Sequence, residues 1–153
     1  MSWDGTSFAP HQDPRSGLHF SVPNAGYRLV EEHFDASTPL YQVRHTFVLT
    51  GSAGPAVGID VWMNPDGILL EKWFATNLGF MSASGSTIKR SANGILVEQP
   101  RSSQSHGRRA AIFRVGARVL RVTCHDVADV AAEKAFEAVV RSLGKGPRGG
   151  PTP

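Results

Sequence analysis

The sequence predicts an α+β domain, a single antiparallel β-sheet of about six or seven strands packed by a mid-chain helix and a C-terminal amphipathic helix. Through most of the chain apolar residues alternate with polar ones at a period of two, which suits strands and not helices. The period lengthens to helical spacing twice, between residues 64 and 80 and again from Val130. Between these runs stand short clusters of Gly, Pro, Asn and Ser, the residues that turn an antiparallel chain.

Residues 1–16 are polar, contain two prolines and read as a loosely held arm that Trp3 and Phe8 pin down. "LHFSV" (Leu18–Val22) then alternates as a half-buried strand should, and "PNAG" turns it into "YRLVEEHF", the signal of a hairpin. In "YQVRHTFVL" Tyr41, Val43, His45, Phe47 and Leu49 share one face. After "GSAGP", "AVGIDVWMN" sets Val57, Ile59, Val61 and Met63 against Asp60 and Trp62. At "NPDGILLEKWFATNLGF" the apolar Ile68, Leu69, Trp73 and Phe80 fall at helical spacings. Asn64 or Asp66 suits its N-cap and Gly79 a left-handed C-cap. "SASGSTIKRSANG" reads as a small-residue linker, after which "ILVEQP", "AAIFRV" and "RVLRVTC" are three strands in meander order. The last element carries Phe136, Val139, Val140 and Leu143 as one apolar stripe, and Asp126 or Asp129 caps it. The domain therefore spans residues 17–143, with a Gly/Pro-rich tail over 144–153 that reads as disordered.

Composition excludes several classes. With one cysteine the chain has no intramolecular disulfide and no cysteine-rich zinc site. The first residues show neither a basic region nor an apolar run, and no stretch approaches the roughly 20 apolar residues of a membrane span. A cytoplasmic protein with no membrane partner is the expectation. The charge is uneven: residues 1–88 are net −4, residues 89–121 net +7 and residues 122–153 neutral. A basic strip formed by Arg108, Arg109, Arg114, Arg118 and Arg121, with Lys89 and Arg90, fits an acidic partner, although a solvated arginine-rich surface is the commoner outcome. Nucleic acid is disfavoured, because Phe113 is the only aromatic residue in that segment.

The most enzyme-like stretch is Cys124-His125-Asp126. Neighbours on a strand point to opposite faces, so His125 would not serve Cys124 as a base, and Cys124 continues the apolar face of Leu120 and Val122. His11, His19, His33, His45 and His106 stand singly in the sequence, so no metal pair is read from them. No glycine-rich phosphate loop runs from strand to helix, and no cofactor is expected. Trp62 and Trp73 remain: each is either an interface anchor or, for Trp62, a residue covered by a helix on the second sheet face.

The order "GLHFSVPNAGYRLVEE", "IDVWMNPDGILLEKWFATNL", "IFRVGARVLRVTC" and "FEAVVRSL" resembles the PsbP-like superfamily over roughly Gly17 to Leu143. That superfamily includes photosystem extrinsic subunits, a nuclear-import factor that binds a small GTPase, and bacterial lipoproteins and secretion-associated chaperones. The resemblance implies a non-enzymatic adaptor or chaperone-like domain of a bacterial assembly or secretion system. Its surface would be Trp62, Trp73 and the arginines at 108, 109, 114, 118 and 121, with a protein partner of acidic surface. A small anion-binding or enzymatic domain built on Cys124, His125 and nearby arginines is the alternative reading, and self-association through an edge strand is a third.

Overall fold

The computed structural model describes residues 3–35, 37, 39, 41–83, 85–100 and 107–144. In chain order its elements are β1 (Phe8–Gln12), β2 (His19–Pro23), β3 (Arg28–His33), β4 (His45–Gly51), β5 (Gly54–Met63), α1 (Leu70–Asn77), a 3-10 turn (Gly79–Ser82), β6 (Thr87–Ser91), β7 (Gly94–Gln99), β8 (Arg108–Val115), β9 (Arg118–Cys124) and α2 (Val130–Gly144). His106 and the tail from residue 145 lie outside the described residues.

Seven strands make one antiparallel sheet in the order β3-β4-β5-β9-β8-β7-β6. The junction is β5 against β9, where Ile59 faces Val122 and Val61 faces Leu120. This pairing joins the two halves of the chain. Period-two alternation sends Phe47, Leu49, Val57, Ile59, Val61, Leu120, Val122 and Cys124 to one face, where they pack against Ala132, Ala135, Phe136, Val139 and Leu143 of α2. The opposite parity supplies Trp62, Ile95, Val97, Ala110, Ile112 and Val119 to a second cluster, closed by Trp73 and Phe74 of α1 with Leu78 and Met81. The α2-side face of the central strands is thus dry, α1 covers Trp62 and Val119 on the other face but leaves Asp60, Arg121 and Thr123 partly exposed, and the β3–β4 half of that second face has no helix over it among the described residues.

The N-terminal segment departs from the expectation. Residues 8–12 form β1, and "LHFSV" pairs with it in a separate two-stranded sheet, not with the strand after "PNAG". The strand after that turn, β3, pairs instead with β4. Burial decides this: Leu18 and Phe20 join the α2-side cluster from above the sheet, and the Ser21 amide donates to Ser142 Oγ of α2 at 3.0 Å. The "linker" after α1 also holds a strand. β6 has only Ile88 partly inside and pairs with β7 at the sheet edge, so its alternation is too weak to stand out.

Helix caps follow the backbone donors. Asp129 Oδ1 accepts from the amides of Ala131 and Ala132 and caps α2, while Asp126 Oδ1 accepts from Ala128 in the turn before it. At α1 the expected capping residue does other work: Asn64 binds both the N–H and the C=O of Ile68, closing a loop that delays the helix to Leu70. Gly79 opens the 3-10 turn and does not take a left-handed cap. Gly94 is irreplaceable for steric reasons, because its φ is +140° and a Cβ there would run into the Ile112 carbonyl oxygen.

Candidate binding face and the histidine seam

The residues marked out by sequence divide between the two sheet faces. Arg109 and Arg118 lie on the α2 side and Arg108, Arg114 and Arg121 on the other, because adjacent strand positions alternate. The five arginines therefore form no single strip. Arg109 is held by Glu98 Oε2 at 3.1 Å and by Glu133 of α2. Arg121 pairs with Asp60 Oδ2 at 2.9 Å, lies 5.2 Å from the Trp62 ring centre and donates to Met81 Sδ. Arg108 and Arg114 are exposed and have no ion-pair partner among the described residues.

Trp62 and Trp73 are 6% and 4% exposed and meet edge to face with ring centres 5.4 Å apart. They are core residues, so the expectation that they present an interface is corrected: α1 covers the second face and takes Trp62 inside. The large apolar side chains left in solvent on or beside that face are others. Phe80 is 70% exposed, Leu69 is 74% exposed, and Val30 stands opposite Val48 on the uncovered part.

Beside Phe80 runs a groove of about 340 Å³, lined among others by Thr46, Val48, Asp60, Phe80, Arg108, Arg121, Thr123 and His125. Gly58 opens its floor, since a Cβ there would stand 3.2 Å from His125 Nε2. His125 is held below its usual pKa, first by burial and then by the positive charges of Arg108 and Arg121, against the opposing pull of Asp60. Cys124 is buried on the other side of the sheet, where its thiol reaches the Asp126 carbonyl at 3.6 Å. Burial pushes that thiol above its usual pKa. Thiol and imidazole are on opposite faces and share no proton, as strand parity predicts.

A second group was not legible as a group. Strands β1, β3 and β4 bring His11, Glu31, His33 and His45 to the α2 side, beside Asp13. His11 Nε2 is 2.7 Å from Glu31 Oε1, and His33 Nε2 is 3.7 Å from Asp13 Oδ1 and from Glu31 Oε2. His33 Nδ1 and His45 Nδ1 are 2.8 Å apart, so one ring donates to the other. Asp13 is 2% exposed and its Oδ2 accepts from both the amide and the hydroxyl of Ser16. Burial opposes the ionisation of Asp13, but the Ser16 hydrogen bonds and the nearby His33 and His45 outweigh it and hold the carboxyl below its usual pKa. The available signal was spacing: His11-x-Asp13 and Glu31-x-His33 each place two donors on one face of a strand or its continuation.

The chain is similar to a GTP-binding regulator from Thermotoga maritima, at 14% identity over 74% of this chain and 78% of that one, with a TM-score of 0.44. It is also similar to the cyanobacterial PsbP protein CyanoP from Synechocystis, at 11% identity over 91% of this chain and 94% of that one, with a TM-score of 0.46. No protein-family model matches the chain, and no curated protein matches it by sequence. No helix of the described residues is long and apolar enough to cross a membrane.

Proposed function

We propose that the protein is a non-enzymatic adaptor or chaperone-like domain that binds an extended, acidic segment of another protein along the uncovered half of the second sheet face. The observation that carries this is what lines and borders that half: Val30 and Val48 on its strands beside Glu32, and at its border exposed Phe80 and, on β8, Arg108 without an ion-pair partner among the described residues. Apolar anchors beside an unneutralised guanidinium suit a ligand that alternates apolar and carboxylate side chains. Arg121 does not contribute free charge, because Asp60 neutralises it. Cys124 and His125 lie on opposite sheet faces and do not act as a pair. A bacterial assembly or secretion system as the setting rests on the sequence resemblance to the PsbP-like superfamily alone. Both sheet edges carry charge, Glu31 and Glu32 on β3 and Lys89 and Arg90 on β6, which works against pairing of two copies through the same edge strand.

The test is an NMR titration of the full chain with an extended peptide alternating Glu and Leu, repeated with an Arg108→Glu/Phe80→Ser variant. Saturable shifts at amides of β4, β5, β8 and β9, weakened at least tenfold in the variant and by added salt, support the reading. Shifts confined to other elements, or equal binding by the variant, overturn it.

A further inference from the structure

We propose that the seam between the two-stranded sheet and strand β3 binds one divalent transition-metal ion, with zinc as its natural occupant, through His11, Asp13, Glu31 and His33. The donor set is that of a zinc site, two imidazoles and two carboxylates. The spacing also fits. One donor atom each from His11, Asp13 and Glu31 lies within 4.8 Å of the others, and His33 Nε2, which stands outside that group of three, is 3.7 Å from a carboxylate oxygen of both acids. Those last two separations are too long for hydrogen bonds. They are close to the roughly 3.3 Å that separates donors around a tetrahedral ion with bonds of about 2.0–2.1 Å. To reach that spacing the His33 separations close by about 0.4 Å and the 2.7 Å His11–Glu31 pair opens by about 0.6 Å, and Glu31, on the sheet edge, is the side chain that has to shift.

Each donor has a lone pair left for the ion. Asp13 commits Oδ2 to Ser16, which leaves Oδ1 turned toward His33. His11 Nε2 is buried and meets Glu31 Oε1 at 2.7 Å in an ion-pair contact without hydrogen-bond geometry, which an ion between them would replace. A buried ring nitrogen without a hydrogen bond is costly unless something else takes its lone pair. His33 uses Nδ1 on His45 and presents Nε2 to the acids, the arrangement by which a neighbouring group fixes the ring of a metal-ligating histidine. His45 is thus a positioning residue. Once His33 is drawn in as the fourth protein ligand the site is closed and structural, a staple holding the N-terminal hairpin to the β3–β4 edge.

The experiment is competition of the metal-free full chain with a chromogenic zinc chelator, paired with the visible spectrum of the Co²⁺ form. The parent should take up one equivalent of zinc, give the intense ligand-field bands of tetrahedral cobalt, and gain thermal stability as free zinc rises. His11→Ala and Glu31→Gln should each weaken uptake at least tenfold. His45→Ala should weaken it by about 10- to 100-fold and shift the cobalt bands. His19→Ala, which removes a histidine outside the seam, should do neither. If the parent takes up no zinc, or if the seam variants bind it as well as the parent does, the group is an ion-pair cluster and the proposal fails. Asp13 is left intact because it also builds the Ser16 turn, and the retained circular dichroism of each variant separates lost binding from lost folding.

Discussion

Replacing Phe47 tests whether the small N-terminal sheet is a working part of the core. The ring is fully buried, 5.4 Å from Phe20 of β2 and within 6.4 Å of the His33 and His11 rings, so it touches both sheets at once. A phenylalanine buries roughly 150–250 Å², and at about 25 cal/mol per Å² this is worth about 4–6 kcal/mol as an upper figure. Alanine keeps the Cβ but leaves a cavity between two layers that are pinned by their own hydrogen bonds. The expected loss for Phe47→Ala is therefore about 3–5 kcal/mol. In urea denaturation followed by tryptophan fluorescence, with a slope of about 2 kcal/mol per molar, the midpoint should fall by about 1.5–2.5 M. That loss is a large share of a domain's total stability of roughly 5–15 kcal/mol. Phe47→Leu, costing roughly half as much, keeps the effect measurable if the alanine variant does not fold. Amides of β1 and β2 should also exchange faster in either variant. A loss below about 1 kcal/mol at unchanged slope would refute the reasoning, since the ring would then not be clamped between the two sheets.

The pKa and burial of two other residues give further expectations. Cys124 should resist a thiol reagent in the native protein and react fully in denaturant, because the side chain is inaccessible and its thiol is held above the usual pKa by burial; rapid native labelling would show otherwise. His125 is favoured in its neutral form by the fold, so its contribution to stability is complete above the unfolded value of 6.5 and is lost as pH falls below it toward the depressed folded value. Urea midpoints measured from neutral to mildly acidic pH should fall less steeply for His125→Gln than for the parent. Equal slopes would mean that burial does not disfavour the imidazolium there.

Local pattern was enough to mark most of the main sheet and α2. The alternation through β4, β5 and β9 and the stripe Phe136, Val139, Leu143 each state which residues go inward, and tertiary structure puts those residues in the core. Strand parity alone also separated Cys124 from His125. What the sequence left undetermined was every choice that depends on a distant partner. "LHFSV" is a strand in either arrangement, and only the space beside α2 assigns it to β1 instead of β3. Trp62 is polar-side by parity, but whether that side is wet was decided by α1 lying across it. The arginines form a run in sequence, whereas alternation and the positions of Asp60, Glu98 and Glu133 divide and mostly neutralise them. The histidines stand apart in the chain and meet only because β1 folds over the β3–β4 edge, a contact between segments about 20 residues apart that short-range periodicity does not encode. Pattern alone determined which residues face inward within β5, β9 and α2 and over Phe47 and Leu49 of β4, but not around α1, where Leu69 and Phe80 are exposed. Tertiary structure decided what each face meets, because burial and charge pairing are properties of the assembled layers.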